Sequence, residues 1–158
     1  MSANAQALTE RIALMFGRST YRDARAGPLT FPVRNPGTDD IVGAVGVVRR
    51  KCGHLVTNVL ETHFGSTLMH AGELCREWDR QNPLTDYAAI TLSRFGSKLA
   101  VRRFAGAKPR QADIADFAWM LKTRRASLDE AIARTEAWLT HLLDVGAREL
   151  IVAMRGTR

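Results

Sequence analysis

Residues 108–143, KPRQADIADFAWMLKTRRASLDEAIARTEAWLTHLL, decide how this chain is read. Apolar residues recur at helical spacing on both sides of a basic stretch. Ile114, Phe117, Ala118 and Leu121 share one face of a first helix, and Leu128, Ile132, Leu139 and Leu142 share one face of a second. Between them lies Lys122-Thr123-Arg124-Arg125. Pro109 suits the first turn of a helix. Ser127 followed by Glu130 has capping-box spacing, which predicts that the second helix begins at Ser127. A helix, a short turn and a second helix flanked by cations is the plan of a helix-turn-helix, which sets one helix in a DNA groove. Ile114, Phe117, Leu121, Leu128, Ile132 and Leu139 are expected to be buried against one another.

Charge supports the same reading. The chain has 158 residues and a net charge of +7, and such an excess favours a polyanionic partner. Between residues 94 and 125 the cations are Arg94, Lys98, Arg102, Arg103, Lys108, Arg110, Lys122, Arg124 and Arg125, against the acids Asp113 and Asp116. That one segment holds an excess equal to the net charge of the whole chain. Asp129 and Glu130, at the start of the second helix, suit its dipole. They repel phosphates, yet would accept from a cytosine amino group.

Upstream, other helices take shape. Ser2 caps a helix over residues 3–16, with Leu8, Ile12 and Met15 on one face and Gly17 at its end. From residue 17 to 40 regular structure fades into an irregular connector. Gly27-Pro28, Pro32 and Asn35-Pro36-Gly37 are breaker signals there, and Leu29, Phe31 and Val33 alternate without an evident partner strand. A helical domain then spans residues 41–158.

In that domain Ile41, Val45, Val48, Cys52, Leu55 and Val59 mark a long helix reaching about Phe64, preceded by the acids Asp39 and Asp40. Gly43, Gly46 and Gly53 each weaken it by about 1 kcal/mol relative to Ala. They either permit close helix packing or break the helix in two. Thr67 opens a helix with Leu68, Ala71, Cys75 and Trp78 on one face, ended by Asn82-Pro83. Thr85 caps another, with Ala88, Leu92, Phe95 and Leu99 inward and Arg94, Lys98 and Arg102 as a neighbouring basic stripe. The fold class expected is all-α, with a helix-turn-helix.

Other chemistry finds little support. Two cysteines are too few for a disulfide framework. Cys52, His54, His63, His70 and Cys75 follow no zinc-ligand spacing, so no metal and no cofactor are expected. His63 or His70 with Glu61, Glu73 or Glu77 would make an acid–base pair, but no nucleophile stands beside them in the sequence, and an enzyme is not expected. Trp78, Trp119 and Trp138 read as packing residues. Arg49-Arg50-Lys51 reads as a solvated face. No apolar run reaches transmembrane length, and the N-terminal residues do not form a signal peptide, so a cytoplasmic chain is expected.

The order Arg103-Phe104-Ala105-Gly106, Arg110-Gln111-Ala112-Asp113-Ile114-Ala115, Ser127-Leu128 and Arg134-Thr135-Glu136-Ala137-Trp138-Leu139 resembles the terminal helix-turn-helix of phage late-gene antitermination Q proteins. More distantly it is similar to the promoter-reading module of sigma factors. The resemblance covers about a quarter of the chain. It implies a module that engages DNA near a late promoter while the rest of the protein contacts RNA polymerase. By that resemblance Arg124, Arg125, Ser127 and Arg134 face DNA, and Arg110 and Gln111 support the backbone contact.

The expectation is therefore a DNA-binding transcription regulator of antiterminator type. Its DNA contacts are expected from Lys98, Arg102, Arg103, Lys108, Arg110, Gln111, Lys122, Arg124, Arg125, Ser127 and Arg134. Two other readings use the same positive surface: a helical subunit that binds RNA or a ribonucleoprotein, and an inhibitor that docks an acidic protein.

Overall fold

The structure, a computed structural model, describes residues 38–107 and 110–156. The expected N-terminal helix, most of the connector, and Lys108 with Pro109 lie outside the described residues. The elements are α1 (Thr38–Cys52), α2 (His54–Gly65), α3 (Ala71–Gln81), α4 (Tyr87–Phe104), α5 (Gln111–Met120) and α6 (Arg125–Gly156). The described chain is all-α, with no strand among the described residues. No described helix is long and apolar enough to cross a membrane.

The long helix expected from Ile41 to Phe64 is two helices. Gly53 adopts φ 84°, a left-handed backbone that an L side chain rarely takes. Its N–H still donates to the Arg49 carbonyl at 3.0 Å, closing the end of α1. The break resets the helical register. Ile41, Ala44 and Val48 are buried on α1, while α2 buries Val56, Val59, Leu60 and Phe64 and leaves Leu55 only half-buried. A Cβ added to Gly43 or Gly46 would meet no atom within 4 Å among the described residues, so neither glycine serves a close contact with a described helix.

Two other starts move. Thr67 does not open α3. Its hydroxyl accepts the Met69 amide at 3.2 Å, a local turn that competes with a helical cap, and α3 begins at Ala71 with Leu68 and Met69 exposed. The cap of α4 is Asp86 rather than Thr85, with the Ala89 N–H donating to its carboxylate at 2.8 Å. Ala88, in that first turn, is exposed instead of inward.

α6 is the spine of the fold. It runs 32 residues without a break, about 48 Å at 1.5 Å per residue. Its most extensive partner is α4, followed by α1 and α2. Its N-terminal part places Leu128 and Ile132 against Leu99 and Ala100 of α4 and Ile114 and Ala118 of α5. Its middle sets Leu139 against Val59, Leu74 and Val101. Its C-terminal part sets Leu150 against Ala44, Val48, Val56, Leu60 and Phe64. Phe117 and Leu121 are half-buried, and Leu139 belongs to the middle cluster, so the expected six-residue core is split between two layers.

Two glycines let neighbours approach this spine. A Cβ on Gly96 of α4 would sit 2.7 Å from the Ala131 Cβ and 3.1 Å from the Ala131 carbonyl carbon. A Cβ on Gly146 of α6 would sit 2.8 Å from Val56 Cγ1. Two of the buried hydroxyls turn back on their own helices. Ser97 donates to the Arg94 carbonyl at 3.0 Å and Thr135 to the Ala131 carbonyl at 3.1 Å.

Candidate nucleic-acid interface

The segment expected as a helix-turn-helix folds as α5, a four-residue turn (residues 121–124) and the first part of α6. The turn is a Schellman closure. Thr123 N–H donates to the Ala118 carbonyl and Lys122 N–H to the Trp119 carbonyl, both at 3.0 Å. Lys122 takes the left-handed position with φ 49°. At the other end of α5, the Asp113 carboxylate accepts the Arg110 N–H at 3.1 Å.

The closure delivers the chain directly into α6 at Arg125, so Ser127 is not its cap. Ser127 sits half-buried within the first turn, its N–H donating to the Arg124 carbonyl at 3.0 Å. Glu130, the expected capping partner, instead pairs with Arg134 at 2.8 Å. The second helix is accordingly the N-terminal end of the spine rather than a short helix with a free face.

The expected site residues divide into two groups. Arg103 pairs with Glu136 at 3.1 Å, Arg125 with Asp129 at 3.7 Å, and Arg134 with Glu130. Arg94, on the same stripe of α4 as Lys98, pairs with Asp79 at 3.3 Å. The outer face at the start of α6, Arg125, Ala126, Asp129, Glu130, Ala133 and Arg134, therefore carries two arginines and two acids and is neutral overall.

The second group is Lys98, Arg102, Arg110, Lys122 and Arg124. All are exposed, and none has an ion pair with an acid among the described residues. Lys98 lies over the Phe95 ring, 5.8 Å from its centroid. Lys98 and Arg102 lie one turn apart on α4, Arg110 immediately precedes α5, and Lys122 and Arg124 share the turn into α6. The Arg125 guanidinium donates to the Gln111 side chain, which brings the start of α6 to the start of α5 and so Arg124 towards Arg110. Arg102 lines a groove of about 550 Å³ with Leu99, Ala107, Asp113, Asp116, Phe117 and Met120, two residues before Lys122. Lys108 lies outside the described residues.

Trp119 departs from expectation. Trp78 and Trp138 pack as expected, with ring centroids 5.5 Å apart and their indole N–H groups donating to Ser93 and Gln81. Trp119 is 82% exposed, and Met120 beside it 58%. The sequence carried a signal for this. At 100° per residue, Trp119 lies about 140° from Ile114 around the helix, off the buried Ile114–Ala118 stripe.

The remaining ionisable groups meet in pairs and small sets. His70 Nε2 meets Glu61 Oε2 at 2.5 Å, so the pairing of His70 with Glu61 is made. Glu73 accepts from Asn58, and Glu77 from Arg80 and Gln81. Arg49 donates to His54, and Lys51 pairs with Glu149 of α6. Cys52 and Cys75 are both free and half-buried, and they pack in different core clusters. Burial pushes the Cys75 thiol up, as suits a packing residue. Among the described residues no three His, Cys, Asp or Glu side chains are grouped to hold a metal. The chain matches no protein-family model, no curated protein and no solved structure.

Proposed function

We propose that this chain is a non-enzymatic regulator of transcription that grips duplex DNA through its phosphate backbone. The observation that carries the reading is that Lys98, Arg102, Arg110, Lys122 and Arg124 are exposed and make no ion pair with an acid among the described residues, while neighbouring arginines are paired. Cations left free of carboxylates can release the counterions of a polyanion, which is the main source of sequence-independent DNA affinity. The neutral outer face of α6 argues for positioning over base reading at this end. Specificity then comes from a second macromolecule on the same DNA. RNA polymerase is the partner proposed, in line with the resemblance to antitermination Q proteins.

The test is a mobility-shift titration on duplexes of unrelated sequence. Replacing Lys122 and Arg124 together by Ala weakens binding to all of them alike. Arg94→Ala, which removes a cation engaged with Asp79, serves as control and changes binding little. Undiminished binding by the double variant would sink the reading.

A further inference from the structure

An exposed tryptophan is the least expected feature of the basic end. Trp119 has no ring partner among the described residues. Its backbone is held in the Schellman closure, where its carbonyl accepts the Lys122 N–H. The charged residues of the turn that follows it are Lys122 and Arg124, both exposed and neither in an ion pair with an acid among the described residues. Of the acids of α5, Asp113 and Asp116 line the groove that also holds Arg102 and Met120, and Asp116 lies one helical turn before Trp119, on the side away from the basic turn.

Resting on the nucleic-acid reading above, we propose that Trp119 is a stacking platform for an unpaired base, so that this end of the molecule takes DNA carrying a single-stranded segment. An aromatic face beside backbone-gripping cations is the combination that single strands require. Within a duplex every base already stacks on both faces, so an indole at the rim gains a partner only where the strands are open. Charge complementarity selects the occupant: the cations after Trp119 hold the phosphates that flank the stacked base. Met120, also exposed, extends the apolar contact.

The test compares a labelled oligo(dT) with a duplex of the same length, using wild type, Trp119→Ala, Trp119→Leu and Trp119→Phe. Wild type is expected to bind both. Trp119→Ala and Trp119→Leu should lose roughly 5- to 150-fold on oligo(dT), the worth of one stacked base, and less than about two-fold on duplex. Trp119→Phe should recover most of the loss, since it keeps an aromatic face. Thermal melts of the four proteins should coincide, because the side chain is exposed. Full oligo(dT) affinity in Trp119→Ala would overturn the proposal, and so would a Trp119→Leu variant as good as Trp119→Phe or equal losses on both DNAs. Wild type that binds duplex but not oligo(dT) would remove the stacking role and leave the DNA-binding function standing. Wild type that binds neither would remove both.

Discussion

Lys122 joins a stability problem to a charge. Its φ of 49° puts an L side chain in the left-handed region at the position where helices usually end in glycine. Lys122→Gly should therefore stabilise the fold by about 1 kcal/mol in urea unfolding while weakening DNA binding, because it relieves the backbone and removes a cation. Ile132, which is completely buried, lies at the other extreme, and Ile132→Ala should cost about 2–5 kcal/mol. Glu77 supplies a pH dependence. Hydrogen bonds from Arg80 and Gln81 hold its carboxyl at about 2, below its ordinary 4.5. Because the folded value is depressed, its contribution is present above pH 4.5 and fades as pH falls towards 2. Its partner Arg80 is exposed to solvent, so the effect is small. Urea midpoints measured across that window should fall less steeply for Glu77→Gln than for wild type. At this scale the buried stripes were legible: Leu128, Ile132 and Leu139 are all buried as their spacing required. Trp119 was not, because residue type alone points inward and only its angle on the helix points out.

At the scale of elements, periodicity showed where helices run but not which neighbours they choose. Gly43, Gly46 and Gly53 were legible together as packing positions or a break, and spacing did not show that Gly53 alone ends a helix. Gly96 was not, because its role depends on Ala131 lying across from it on α6, a pairing set by tertiary packing. The two kinds of glycine respond oppositely to substitution. Gly96→Ala forces α4 from α6 and should cost about 1–3 kcal/mol, despite the helix propensity it gains. Gly43→Ala meets open space on α1 and should stabilise by about 0.5–1 kcal/mol. Melting both variants against wild type checks the signs. The start of α6 differs from expectation for a related reason. A Ser-x-x-Glu pattern marks a cap only if the chain is free to begin there, and the Schellman closure of α5 begins α6 two residues earlier.

Across the whole molecule, α6 ties three core layers together, and the unpaired cations stand on α4, before α5 and in the turn that leads into α6. The charge excess was legible from the sequence. Which cations stay free was legible only in part: Arg125–Asp129 and Arg134–Glu130 are i,i+4 pairs that helical spacing alone allows, whereas Glu136 reaches Arg103 only once α6 is packed on α4. One small phosphate-gripping end gives modest affinity by itself. DNA binding should therefore tighten when RNA polymerase occupies the same promoter, and a mobility-shift titration with and without polymerase measures it. The most direct test of the central claim is the salt dependence of duplex binding. For wild type, the logarithm of the association constant should fall steeply and linearly with the logarithm of salt concentration. Replacing Lys122 and Arg124 together by Ala should reduce the slope by about two units, one for each phosphate no longer neutralised. A wild-type affinity indifferent to salt, or a double variant with an unchanged slope, would contradict it.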